Sequence, residues 1–227
     1  MDERFFAEKA TLNNKFEQMD LVLQILKKAN DDTCQEKILR NPDTKQLIKA
    51  ALILMFYNAI EGTMNNLMHA YFNTIINRNL KINNLPKELQ KLYCKNHLKI
   101  KKTKAENFED ELNRLLEKDI DKVALVDYRQ ISKNMTLFSG NLDSQGIINA
   151  SKLIGVNLDE QLFKVSSLKS IKDKRNALAH GDIEFKEACS YMTVQDMETM
   201  HKDLHQYLIN LITAYENAIE ELIQENS

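Results

Sequence analysis

The chain has 227 residues, of which 43% are apolar and 28% are charged, and its formal net charge is −2. This length and apolar content fit one large domain with its own core and exclude disorder over most of the chain. The charge balance excludes a uniformly basic nucleic-acid-binding surface, although a local group of cations could still contact phosphates.

Helical features dominate the first third of the chain. The whole chain has five glycines and two prolines, which are too few for an all-β domain of this size. Apolar residues at helical spacing predict a first helix over residues 3–29. Asn41 is then typical of an N-cap, with Pro42 at the first helical position. We expect the second helix to run from Pro42 to about Asn77.

The middle of the chain is less regular. Residues 123–131 mix β-branched and aromatic side chains and predict a short strand. The other predicted features are a polar break at 79–86, a helix from Pro86 toward Lys99, a basic run at 99–104, an amphipathic segment at 108–118 and a short helix at 144–153. We interpret residues 79–155 as a variable insertion within a single domain that spans residues 1–227.

The last third predicts two further helices. One runs from Ser166 to His180, where Gly181 is suited to end it in the left-handed region. After a loop at residues 182–192, Thr193 and Asp196 have the spacing of a capping pair. The final helix is expected to reach Gln224.

The cysteines and the N-terminal segment bear on the compartment. Cys34, Cys94 and Cys189 are odd in number and far apart, which favours a reduced intracellular environment. The first residues lack the layout of a signal peptide, and the longest apolar run, residues 50–57, is too short to span a bilayer. We expect a cytoplasmic protein with no membrane contact.

Residues 174–181, with the sequence KRNALAHG, hold the densest group of reactive side chains. Asn176 and His180 share a helix face, whereas Arg175 and His180 lie about 140° apart around the axis. The latter two meet if the arginine wraps around the helix or if the helix loosens before Gly181. A histidine at a helix C-terminus is also favoured in its protonated form. Such groups can hold a phosphate and move a proton, which metal-free phosphodiester cleavage requires.

The spacing from Arg175 through Asn176 to His180 resembles the R-x4-6-H motif of the HEPN superfamily. Residues 57–61, YNAIE, resemble the polar signature of an earlier HEPN helix. Residues 138–143, FSGNLD, are similar to a HEPN branch found beside prokaryotic restriction and defence genes. The resemblance covers roughly residues 47–215. It implies an all-α helical bundle with long outer helices that forms a homodimer, in which two motifs meet across the interface.

The same resemblance implies a metal-independent endoribonuclease that needs no cofactor. The RNA's own 2′-hydroxyl would attack the adjacent phosphate and leave a cyclic phosphate. His180 would transfer the proton, and Arg175 would neutralise the developing charge on phosphorus. Asn176 would orient His180 or bind a phosphate oxygen, while Glu61 would hold Arg175 or His180 from the neighbouring helix.

Contacts with RNA and with a regulator follow from the same reasoning. Lys169, Lys172 and Lys174 lie near the motif and are candidates for phosphate contacts, whereas the basic run at 99–104 is interpreted as a solvated loop.

An antitoxin or another defence-system protein is expected to restrain such a nuclease. Some HEPN proteins carry a modifiable tyrosine two residues after the motif histidine. Asp182 stands there in this chain, which favours control by a bound partner.

Three alternatives remain open at this point. The motif could be an ordinary helix end, with Arg175 paired to an acid and His180 capping carbonyl groups. The chain could also be a non-catalytic HEPN-like scaffold or a regulatory subunit of a defence complex. Glu198, His201 and His205 have a spacing compatible with metal ligands, but without a second such group on another helix a polar stripe is the favoured interpretation.

Overall fold

The computed structural model of the chain describes residues 3–100, 110, 113–114, 128–134, 137 and 141–226. Within these ranges the fold is all-α, as predicted, and contains no β-strand. The helices are α1 (Glu3–Asn30), α2 (Lys37–Arg40), α3 (Pro42–Asn77), α4 (Lys87–Ile100), α5 (Tyr128–Asn134), α6 (Ser144–Leu153), α7 (Glu160–Phe163), α8 (Ser166–His180) and α9 (Val194–Gln224), with a 3-10 turn at Ile82–Asn84.

Local capping groups explain where the long helices begin. The Asn41 side chain accepts a hydrogen bond from the backbone N–H of Asp43 at 2.9 Å, and Pro42 occupies the first turn of α3. At α9, Thr193 and Asp196 form a reciprocal capping box. Both predicted helix starts are confirmed. They could be predicted from the sequence because a cap needs only groups that are close in sequence.

The core lies where α1, α3 and α9 pack against one another along their length. Helix α3 is the central element, and it buries residues from Lys49 to Ile75. It is also long and apolar enough to cross a membrane, but more than half of that stretch is buried inside the protein, as in the core helix of a soluble protein. Helix α8 packs on α3 and α9, so the motif is supported from behind by the central helix.

The prediction of a strand over residues 123–131 is wrong for its described part. Tyr128 begins α5, and residues 123–127 lie outside the described ranges. Tyr128 and Ile131 are three residues apart, so on a helix both reach the core, where each is buried. The Tyr128 hydroxyl also hydrogen-bonds the Asn65 side-chain oxygen on α3 at 3.1 Å. These contacts with α3 outweigh the β preference of the side chains.

Several other predicted segments cannot be compared with the fold. Residues 101–104 of the basic run, most of the segment at 108–118, and residues 138–140 of the FSGNLD stretch lie outside the described residues. The interpretation of residues 79–155 as a variable insertion stays a prediction.

Two glycines with positive φ offer a matched test of backbone strain. Gly155 has φ +85° and a Cβ added there would lie 2.3 Å from the Pro86 Cβ, whereas Gly181 has φ +75° and open space around it. We expect Gly181→Ala to lower the free energy of unfolding by about 1 kcal/mol, the cost of left-handed backbone. Gly155→Ala should cost at least about 3 kcal/mol, because the clash adds to the strain. Urea denaturation compares the two, and equal losses would contradict the role of Pro86.

Candidate functional site

Helix α8 ends where the sequence predicts. Gly181 adopts the left-handed conformation, and the Asp182 N–H donates to the Ala177 carbonyl at 2.9 Å. The Gly181 N–H also donates to the Leu178 carbonyl at 3.3 Å, so backbone N–H groups bond two of the last carbonyls of the helix without the His180 ring. Of the ordinary-helix-end alternative, the described hydrogen bonds do not show the part in which His180 caps carbonyl groups, whereas the part in which Arg175 pairs with an acid is present as its contact with Glu61.

Arg175 lies against α3 rather than in open solvent. Its guanidinium carbon is 4.3 Å from the centroid of the Tyr57 ring. One guanidinium nitrogen, Nη2, is 3.9 Å from the Glu61 carboxylate, and Nη1 donates to the Asn176 side-chain oxygen at 3.0 Å. The Arg175 side chain remains 27% exposed, so a ligand can still reach it. Three of the sequence-predicted site residues, Arg175, Asn176 and Glu61, are thus brought together.

Tyr57 provides the buried ring against which the Arg175 guanidinium packs. The residue is fully buried, and its hydroxyl oxygen accepts a hydrogen bond from the Leu142 backbone N–H at 3.1 Å. Burial is the main cause that raises the pKa of the Tyr57 hydroxyl, with Glu61 adding to the effect. The phenol therefore stays neutral at physiological pH, and Arg175 faces an aromatic ring rather than a phenolate.

A second contact ties the loop before α6 to the motif helix. Lys172 donates to the Asp143 carboxylate at 2.6 Å, and the same carboxylate accepts from the Gly146 N–H at 2.9 Å as the N-cap of α6. Burial opposes ionisation of Asp143, but the bonds from Lys172 and Gly146 outweigh it and lower its pKa. Lys172 is consequently engaged within the protein.

The remaining predicted site residues differ in whether they are exposed or already have a partner within the protein. His180 is exposed at the end of α8, and within the described residues its ring makes no hydrogen bond. Lys169 is exposed as well, whereas Lys174 donates to the Ala188 carbonyl at 3.0 Å. Asn176 is directed toward Arg175, so the predicted contact of its side chain with His180 is not among the described hydrogen bonds.

The described residues contain no group of three or more histidine, cysteine, aspartate or glutamate side chains that could hold a metal ion. The three residues with metal-like spacing instead join α9 to α1. Glu198 pairs with Lys27, His201 lies 3.4 Å from Asp20, and His205 hydrogen-bonds Asn13 at 3.0 Å. They serve as contacts between helices.

Comparison with known protein families shows to which family this chain belongs. Residues 9–223 match the sequence profile of the MAE_28990-like HEPN family. The chain belongs to the HEPN superfamily. No curated protein and no solved structure matches the chain significantly. HEPN proteins are often endoribonucleases. In this HEPN protein the motif arginine, Arg175, contacts both the motif asparagine, Asn176, and Glu61 of α3.

Sequence reasoning missed two contacts of this HEPN site. It did not assign Tyr57 to the site, although Tyr57 and Glu61 are four residues apart and share a face of α3. It also proposed Lys172 for RNA without its partner Asp143, which lies 29 residues earlier. The i,i+4 spacing could have indicated the first contact, but nothing local indicates the second.

Proposed function

We propose that this HEPN protein is a metal-independent endoribonuclease. The observation that carries the proposal is the clustering of Arg175, Asn176 and Glu61 on one side of α8, with exposed His180 at the end of the same helix. A guanidinium that is fixed in place but accessible suits a phosphate oxygen. An exposed imidazole within about two turns of it can transfer protons.

The reaction uses only RNA and side chains. The 2′-oxygen bonds to the adjacent phosphorus, the bond from phosphorus to the 5′-oxygen breaks, and the products are a 2′,3′-cyclic phosphate and a 5′-hydroxyl. A base removes the 2′-hydroxyl proton, and an acid protonates the leaving oxygen. His180 carries proton transfer, while Arg175 stabilises the charge that develops on the phosphorane oxygens.

A homodimer supplies the second proton-transfer group. One imidazole cannot be both base and acid in the same step, so a second copy of the chain would bring its own His180 to the RNA. The exposure of His180 at the end of α8 leaves it available to a neighbouring subunit. Of the three lysines considered for RNA binding, Lys169 suits that role best, because Lys172 and Lys174 already have partners within the chain.

The biological setting follows from the danger of such an activity. An unrestrained ribonuclease would degrade cytoplasmic RNA, so we propose a toxin or anti-phage effector held in check by an antitoxin or another defence-system protein. Asp182 occupies the position where some HEPN proteins carry a modifiable tyrosine. Control by protein binding is therefore preferred over covalent modification there.

The second candidate function is a non-catalytic scaffold or regulatory subunit. The observation in its favour is that Arg175 is already engaged by Tyr57, Glu61 and Asn176, as a structural arginine would be. The two functions differ in a direct assay. A purified ribonuclease leaves cyclic phosphate ends on a labelled RNA substrate, and a scaffold leaves the RNA intact.

Metal removal gives a further prediction. Because the proposed chemistry uses only side chains and the 2′-hydroxyl, we expect cleavage of labelled RNA to proceed at an unchanged rate in excess EDTA. A metal-dependent nuclease in the same buffer serves as the control and should stop. Loss of activity in EDTA, restored by a divalent cation, would show that the proposed mechanism is wrong.

A further inference from the structure

The two α3 side chains beside Arg175 contact it in different ways, and the difference assigns them different roles. We infer that Tyr57 is the permanent support of the Arg175 guanidinium, whereas Glu61 is a counter-ion that an RNA phosphate displaces. The inference rests on the proposed function for its RNA ligand. It makes Tyr57 a positioning residue and Glu61 a competitor of the substrate.

Tyr57 supports Arg175 without consuming its hydrogen-bonding capacity. The ring lies 4.3 Å from the guanidinium carbon and contacts the cation through its π face. A guanidinium donates through N–H groups in its own plane, so stacking leaves those donors for other partners. The ring can therefore stay in place while a phosphate binds.

The support is also rigid. Tyr57 is fully buried in the central helix, and the Leu142 N–H holds its hydroxyl oxygen. Leu142 itself is only 1% exposed, so this anchor belongs to the core. The pKa of a phenol already lies above physiological pH, and burial raises it further, so the ring does not become an anion that would compete with RNA.

Glu61 has the opposite properties. Its carboxylate lies 3.9 Å from Arg175 Nη2, beyond the length of a strong charge-assisted hydrogen bond, and its side chain is 31% exposed. An exposed pair at this distance is held weakly. A phosphate has the same sign of charge and would seek the same guanidinium edge. Bound RNA and the Glu61–Arg175 contact therefore oppose each other.

The first experiment reads the position of Arg175 without requiring catalysis. The Nε–Hε signal of Arg175 is assigned in an NMR spectrum as the signal missing from Arg175→Lys. Stacking on an aromatic ring shifts this proton upfield, so Tyr57→Leu should move it downfield. Tyr57→Phe keeps the ring and loses only the Leu142 bond, so it should move the signal less. Tyr71→Leu is the matched control, since Tyr71 is a buried tyrosine on the same helix whose hydroxyl donates to the Ile154 carbonyl.

The second experiment measures binding of a single-stranded RNA blocked by 2′-O-methyl groups. Glu61→Gln should bind this RNA about 2- to 5-fold more tightly, because an exposed competing charge is removed. Tyr57→Leu should lower the kcat for an unblocked RNA about 5- to 30-fold. Tyr57→Phe keeps the ring and loses only the hydroxyl bond to Leu142, so its kcat should fall less than that of Tyr57→Leu. Weaker binding by Glu61→Gln would overturn its role as a competitor, and an unmoved Arg175 signal in Tyr57→Leu would overturn the role of the ring.

Failure of the inference is separable from failure of the proposed function. If the wild-type protein binds the blocked RNA but cleaves nothing, while Glu61→Gln binds it more tightly and Tyr57→Leu shifts the Arg175 signal, the ribonuclease proposal fails and the inference stands. If the wild-type protein does not bind the blocked RNA, the role of Glu61 falls, while the NMR signal still decides the role of Tyr57.

Discussion

The His180→Ala variant is expected to lose RNA cleavage by at least about 100-fold, because a proton-transfer group contributes 10²- to 10⁴-fold. Expression of the wild-type protein should slow growth and degrade cellular RNA, and this variant should relieve both effects. Its folding should remain intact, since the side chain is exposed and has no hydrogen-bond partner among the described residues. Cleavage rates on labelled RNA, together with thermal melting, check both parts.

The matched control for this experiment is His205→Ala. His205 lies on α9 and hydrogen-bonds Asn13 on α1, so it belongs to the helix packing rather than to the motif. The control should retain wild-type cleavage. Equal toxicity of the wild-type protein and His180→Ala would instead favour the scaffold function.

The second large effect is expected from Arg175. Arg175→Ala should lower cleavage about 10²- to 10³-fold, as for the loss of one group that stabilises a charged transition state. Arg175→Lys should recover little, because an ammonium lacks the planar fork that suits a phosphate and stacks less well on Tyr57. Since Arg175 also packs on a buried ring, melting curves are needed to separate lost chemistry from lost stability.

Mixing two inactive variants tests how the site is divided between subunits. Dimers that combine one Arg175→Ala subunit with one His180→Ala subunit should retain little activity if each half-site needs both residues. The measurement is cleavage by co-expressed, differently tagged subunits purified as the mixed species. Full recovery would mean that a single composite site takes arginine from one chain and histidine from the other.

The sequence predicted the helices of this fold well where short-range signals set them. The capping side chain of Asn41, the pair Thr193 and Asp196, and the left-handed Gly181 act within a few residues of the helix ends they define. Such signals are fully contained in a short window. The strand predicted near Tyr128 was wrong because its side chain finds partners on α3, which are distant in sequence.

The site was predictable in its members but not in its contacts. Motif spacing singled out Arg175, Asn176 and His180, and the HEPN resemblance of residues 57–61 added Glu61. The structure brings Arg175 into contact with both Asn176 and Glu61. Two contacts, that of Arg175 with the Tyr57 ring and that of Lys172 with the Asp143 carboxylate, depend on how α3 and the loop before α6 pack against α8. Packing of distant segments has no local signature, so neither contact could be read from the motif.

The exposed position of His180 also bears on how this protein can change over evolutionary time. Because the side chain is exposed and has no hydrogen-bond partner among the described residues, its loss would leave the helical bundle and the stacked arginine unaltered. For the proposed ribonuclease, an inactive descendant is thus one substitution away and keeps the same fold. If the proposed dimer also forms, a duplicated gene with that substitution would encode a silent paralogue that pairs with the active copy and lowers its activity.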